Sequence, residues 1–200
     1  IVLWAVGMAG VVAVSFTMIP QLLAKAPQHV SLSVAIGASV LQSGMLLALA
    51  VWAGVVLSKP LGLGAPVIEA ALSGTGVSEA IKKQILPAVI GGLLIAGLLV
   101  YLNSVSPPEL RVLSTQFEIP LLPKLLYGGV TEEILMRWGL MSVLVWLPWR
   151  IFQKRDGTPR TAYIMSGILI SALLFGVGHL PAVAAMGAQL SPSVVTYIVT

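Results

Sequence analysis

Apolar residues run almost unbroken through Ile1–Leu23, with Pro20 near the end, and again through Leu32–Leu57. Each stretch supplies the ~20 residues that a helix needs to cross a hydrocarbon layer at about 1.5 Å per residue. The break between them is Lys25-Ala-Pro-Gln-His29. Ser58–Gln84 is mixed, rich in Gly and Pro, and carries Lys59, Glu69, Glu79, Lys82 and Lys83. It is too polar to cross, but Pro66–Leu72 within it is predicted as a short amphipathic helix lying in the interface. Ile85–Leu102 is a third span containing Pro87, Gly91, Gly92 and Gly97, small residues that let helices approach closely. Ser106-Pro107-Pro108-Glu109 in the interfacial Asn103–Pro120 stretch reads as a helix start: a capping hydroxyl, proline in the first turn and an early acid.

Leu121–Trp149 is the fourth span. Arg150–Arg160 is a basic loop with Asp156-Gly157 as its turn signal, and Thr161–Met186 is the fifth span. Ser191–Thr200 begins a sixth and stops about half-way. The expected fold is therefore an all-α, polytopic transmembrane bundle of five full spans plus the start of a sixth. We expect one domain over residues 1–200, cut short at its C-terminus, with a motif-bearing core from about 121 to 200. A chain opening on Ile1 reads as a piece of a longer protein, and the length of the first span argues against a cleavable leader.

Composition agrees with the pattern. Apolar residues make up 58% and charged residues 9%, with a mean hydropathy of +1.00, against about 25% charged residues in soluble domains. The net charge of +4 comes from basic residues gathered in loops, which suits orientation in a bilayer rather than nucleic-acid binding. The absence of cysteine removes disulfides, thiolate nucleophiles and thiolate metal ligands. Lys59, Lys82 and Lys83 in the loop after the second span, with Arg150, Lys154, Arg155 and Arg160 after the fourth, outnumber Lys25, Arg111 and Lys124 on the other side. The loops after spans two and four are thus expected in the cytoplasm.

Tyr127-Gly-Gly-Val-Thr-Glu-Glu-Ile-Leu-Met-Arg137 stands out against this background. Three unpaired charges at mid-membrane would cost about 8–10 kcal/mol on insertion scales, so they need partners, a wet cavity or a reaction. Glu133 and Arg137 are four residues apart with the acid first, the favourable order for a pair. On an α-helix Glu132 is turned about 100° from Glu133, which leaves it to face a cavity as a general base. The plain alternative is an ion pair that holds helices together.

His179 lies in Phe175-Gly-Val-Gly-His179 on the fifth span. It falls about as far after the basic loop as Glu132 falls before it, so an antiparallel pair brings both to one depth. Gly176 and Gly178 remove bulk beside it, and Phe175 shares its face. Glu132 and His179 together suit activation of water and support of an oxyanion, with Glu133 as a second base. Ser171 is two turns from His179 and no Gly-x-Ser-x-Gly is present, which weighs against nucleophilic serine. A zinc site needs three ligands and a water; one histidine and two adjacent glutamates provide them awkwardly, so no cofactor is expected and a divalent zinc ion is a weakly supported option. His29 reads as a solvated loop residue.

Glu-Glu-x-x-x-Arg on one span and Phe-x-x-x-His on the next, about 45 residues on, resemble the first two motifs of the CAAX protease and bacteriocin-processing family. This family includes the type II CAAX prenyl endopeptidases and Abi-type proteins. Leu61-Gly-Leu-Gly and Pro87 with Gly91-Gly92 add a weaker likeness, so the resemblance runs from about Leu61 to Thr200. It implies a glutamate-dependent intramembrane endopeptidase in which Glu132 is the base, His179 assists, and Glu133 and Arg137 support the site. It implies a peptide or protein substrate, prenylated or otherwise membrane-associated, and a multi-pass protein of a bacterial or archaeal-type plasma membrane. The family's third motif, a histidine and an Asn or Asp one turn apart on a later span, falls beyond Thr200, and its metal dependence finds few ligands here. Prenyl endopeptidases act on cytosolic substrates, whereas the charge count sets Glu132 and His179 nearer the outer side. The rival readings are a non-catalytic immunity or scaffolding protein keeping the same fold, and a proton-relay transporter, against which no inverted repeat is found.

Overall fold

A computed structural model describes residues 1–25, 30–117 and 119–199. His29 lies outside the described residues, as does Thr200. The chain forms α1 Val2–Lys25, α2 Leu32–Leu57, α3 Pro66–Ser73, α4 Val77–Ser104, α5 Pro108–Gln116, α6 Leu121–Ile151, α7 Thr161–Ala185 and α8 Pro192–Val199. No strand occurs among the described residues. Five of these helices, α1, α2, α4, α6 and α7, are long and apolar enough to cross a membrane. The all-α polytopic bundle expected from the pattern is what is found, and α8 begins where the sixth span was predicted.

The bundle is built around α6. Its first half packs on α1, its middle on α2 and its last third on α7, with Val11, Leu47, Val51 and Ile134 forming the central cluster. Two glycines set the spacing. A Cβ on Gly10 of α1 would land on the Leu126 carbonyl and the Thr131 hydroxyl of α6; one on Gly139 of α6 would land on Ala50 of α2. Backbone thus meets backbone, as expected where lipid provides no hydrophobic drive between helices. Thr131, fully buried, donates its hydroxyl to the Gly7 carbonyl at 2.7 Å and fastens α6 to α1.

Three predicted details need correction. The third span, expected as Ile85–Leu102, begins at Val77: Glu79 near the helix start pairs with Lys82 at 2.9 Å, so the polar turn continues the helix into the interface. None of α4's residues is buried; it rests against α3, and the Tyr197 hydroxyl of α8 donates to its Leu102 carbonyl at 2.9 Å. Helix α5 does start at the predicted place, but Pro107 is its cap residue, and Ser106 instead receives the Arg111 guanidinium at 3.3 Å.

The third correction matters most. Helix α6 is widened over Lys124–Thr131 and Ile134–Leu140, where N–H groups bond five residues back: Glu132 to the Tyr127 carbonyl and Met141 to Met136. Such π-helical turns are rare, and where they occur they often mark functional sites. Residues four and five apart then lie near one face, while Glu132 and Glu133 themselves sit between the two widened stretches in ordinary α conformation.

Candidate active site

That widening sets the site's layout. Gly128, Glu132, Glu133, Met136, Arg137 and Met141 of α6 all line one cavity of about 350 Å³, closed on its far side by α7. A regular helix would spread these positions around its circumference. The α7 wall includes Ser171 and Phe175, which together with His179 recur every four residues along one face.

His179 Nε2 lies 3.7 Å from Glu132 Oε1. The Glu132 side chain is 21% exposed and that of His179 42%. The other ring nitrogen, Nδ1, sits 2.8 Å from the Phe175 carbonyl. A carbonyl only accepts, so Nδ1 is the nitrogen that donates to it, and Nε2 is the nitrogen turned towards Glu132. The Phe175 ring meets the imidazole edge to face, centroids 4.5 Å apart at 72°, and limits its rotation. Ring orientation is therefore fixed from two sides by the residue one turn earlier.

Glu133 Oε2 is paired with Arg137 Nε at the cavity edge, where both side chains are about half exposed or more. The predicted division, Arg137 with Glu133 and Glu132 with His179, is the one found. Ser171, considered above as a nucleophile, donates its hydroxyl to the Ile168 carbonyl at 2.9 Å and is buried. Sequence reasoning missed Gly128, Met136 and Met141; their four- and five-residue spacing around the glutamates was the signal, hidden because nearly every intervening residue is apolar too.

A zinc ion is not matched by these donors. Glu132 and His179 give two ligands, Glu133 is committed to Arg137, and no group of three or more His, Asp or Glu is found among the described residues. A catalytic zinc takes three protein ligands.

Comparison with known families finds a match over the last part of the chain. Residues 115–200 match the family described as type II CAAX prenyl endopeptidase Rce1-like. This stretch is Rce1-like. The match contains Glu132, Glu133, Arg137, Phe175 and His179, and it is narrower than the resemblance read from the motifs, which began at Leu61. No curated protein and no solved structure matches the chain. The Rce1-like segment, set in a multi-pass integral membrane protein, supports a membrane protease of the CAAX type.

Proposed function

We propose that the chain is an intramembrane endopeptidase that hydrolyses a peptide bond with a water activated by Glu132. The observation that carries this is the 3.7 Å approach of His179 Nε2, one turn beyond the lining residue Phe175, to Oε1 of the cavity-lining Glu132. That distance is too long for a direct hydrogen bond, and it suits one water about 2.8 Å from each atom. Glu132 takes one proton from this water as its oxygen attacks the scissile carbonyl carbon, while the Nε2 lone pair holds the second O–H in line. Glu132 then returns the proton to the departing amide nitrogen. The new carboxylic acid passes its remaining proton to the released amine, so the products are a carboxylate and an ammonium group, and no covalent intermediate forms.

Phe175 positions the imidazole, and Arg137 keeps Glu133 from competing for the same water. The substrate is a peptide held at or in the bilayer, prenylated or not. Proteolysis by the full-length protein tests the scheme. Glu132→Gln and His179→Ala each cut turnover by two to four orders of magnitude, the usual range for a general acid–base group; unchanged turnover with either variant overturns it. If Glu132→Gln instead lowers only stability or partner binding, and no peptide product forms with the native chain, the scaffolding reading takes over.

A further inference from the structure

A second cavity, about 300 Å³, lies on the other side of the Glu133–Arg137 pair. It shares Glu133, Arg137 and Met141 with the first, so the ion pair and one flexible methionine form the wall between them. Its remaining lining comes from Leu63, Gly64 and Ala65 after α2, from Ser142 and Trp138 of α6, and from the apolar Leu3, Ile68 and Ile134. This irregular segment is anchored to the bundle at its start, where Leu61 is 3% exposed and packs with Val145 and Trp149; Gly62 and Gly64 after it are exposed.

Two sets of polar atoms there lack partners. Ser142 is 1% exposed, and its hydroxyl makes no hydrogen bond among the described residues. The carbonyls of Leu63 and Gly64, on the cavity's half-buried to exposed margin, also receive none among the described residues. Trp138, which also lines the cavity, carries another buried donor without a partner, Nε1, close to Gly54 of α2. Non-helical backbone within the depth of a membrane is tolerated where it is packed in protein or lines water. Buried hydroxyls without a protein partner are ordinarily satisfied by water.

We infer that this second cavity is a water reservoir, reached from the side of the basic loops, and that water passes from it to Glu132 past Arg137 and Met141. The inference rests on the hydrolytic reading for its purpose, because a hydrolase within lipid consumes a reactant that lipid excludes. Ser142 is a positioning residue in this scheme: its hydroxyl holds water in the reservoir and touches no substrate.

The chain contains no cysteine, so single cysteines report without background. Ser142→Cys is made in the full-length protein in proteoliposomes and treated with an anionic, membrane-impermeant methanethiosulfonate. That reagent reacts with thiolate, which requires water at the sulfur. Leu147→Cys, on an exposed position of the same helix, is the lipid-facing control. Ser142→Cys is expected to label at least tenfold faster than Leu147→Cys, and Met141→Cys serves as reporter if Ser142→Cys fails to fold. Labelling as slow as the control, with a membrane-permeant thiol reagent still reacting, means a dry cavity and overturns the inference.

Turnover supplies the second arm. Ser142→Val should lower kcat about tenfold at unchanged KM, with Ser142→Thr close to native. Rapid labelling alongside full turnover of Ser142→Val overturns the supply role. Proteolysis that survives Glu132→Gln would instead sink the hydrolytic mechanism while leaving the labelling result standing, so the two failures are distinguishable.

Discussion

The Glu133–Arg137 pair can be weighed by a double-mutant cycle. A lone charge at the centre of a membrane helix costs about 2.5–3.5 kcal/mol on insertion scales. Here the side chains are 49% and 68% exposed and border a cavity, so most of that cost is already relieved. What is left is close to the upper end for an exposed pair, about 1 kcal/mol. Glu133→Gln and Arg137→Met should therefore each destabilise by about 1 kcal/mol. The double variant should also lose about 1 kcal/mol rather than 2, because the second change removes a charge that the first left without its partner. For a chain of this size that is a fall of roughly 2–4 °C in melting temperature. Tryptophan fluorescence in detergent micelles can follow it, since Trp138 lies beside Arg137. Additive single effects, with coupling below about 0.5 kcal/mol, would refute the pairing as a real interaction. The same four proteins carry a functional control: Glu133→Gln should retain measurable proteolysis, because Arg137 already withholds that carboxylate from the water.

Two further outcomes follow from packing. Gly10→Ala drives a methyl into the Leu126 carbonyl and should cost about 1–3 kcal/mol, seen as a lower melting temperature; an unchanged melting point would mean that α1 and α6 do not meet there. Phe175→Leu removes the edge-to-face contact, worth about 0.5–1.5 kcal/mol, and frees the His179 ring. It should lower kcat about tenfold with KM little changed in steady-state proteolysis, and a KM effect alone would say that Phe175 contacts substrate instead.

Most of the architecture was legible because a span is a matter of length and hydropathy, and the apolar runs here are long and cleanly broken. The antiparallel placing of Glu132 and His179 was legible for a related reason: equal distances from one loop translate into equal depth. The widened turns of α6 were not, since a helix whose neighbouring positions are all apolar shows no period from which to tell three-and-a-half residues per turn from more. The extension of α4 was hidden by the opposite effect. Val77–Gln84 reads as loop by hydropathy, and the Glu79–Lys82 pairing that carries the helix through it is a three-residue contact. Ser142 gave no signal at all, because a buried serine among apolar residues looks the same whether it bonds its own helix or faces water.

The most direct measurement is single-turnover cleavage of a membrane-presented peptide by full-length protein carrying Glu132→Gln, with folding checked in the same sample by its melting temperature. The account predicts a native-like melting point and a cleavage rate lowered by two to four orders of magnitude. Native-rate cleavage would contradict it, and Glu132 would then be a charge that the fold tolerates rather than the group that turns water into a nucleophile.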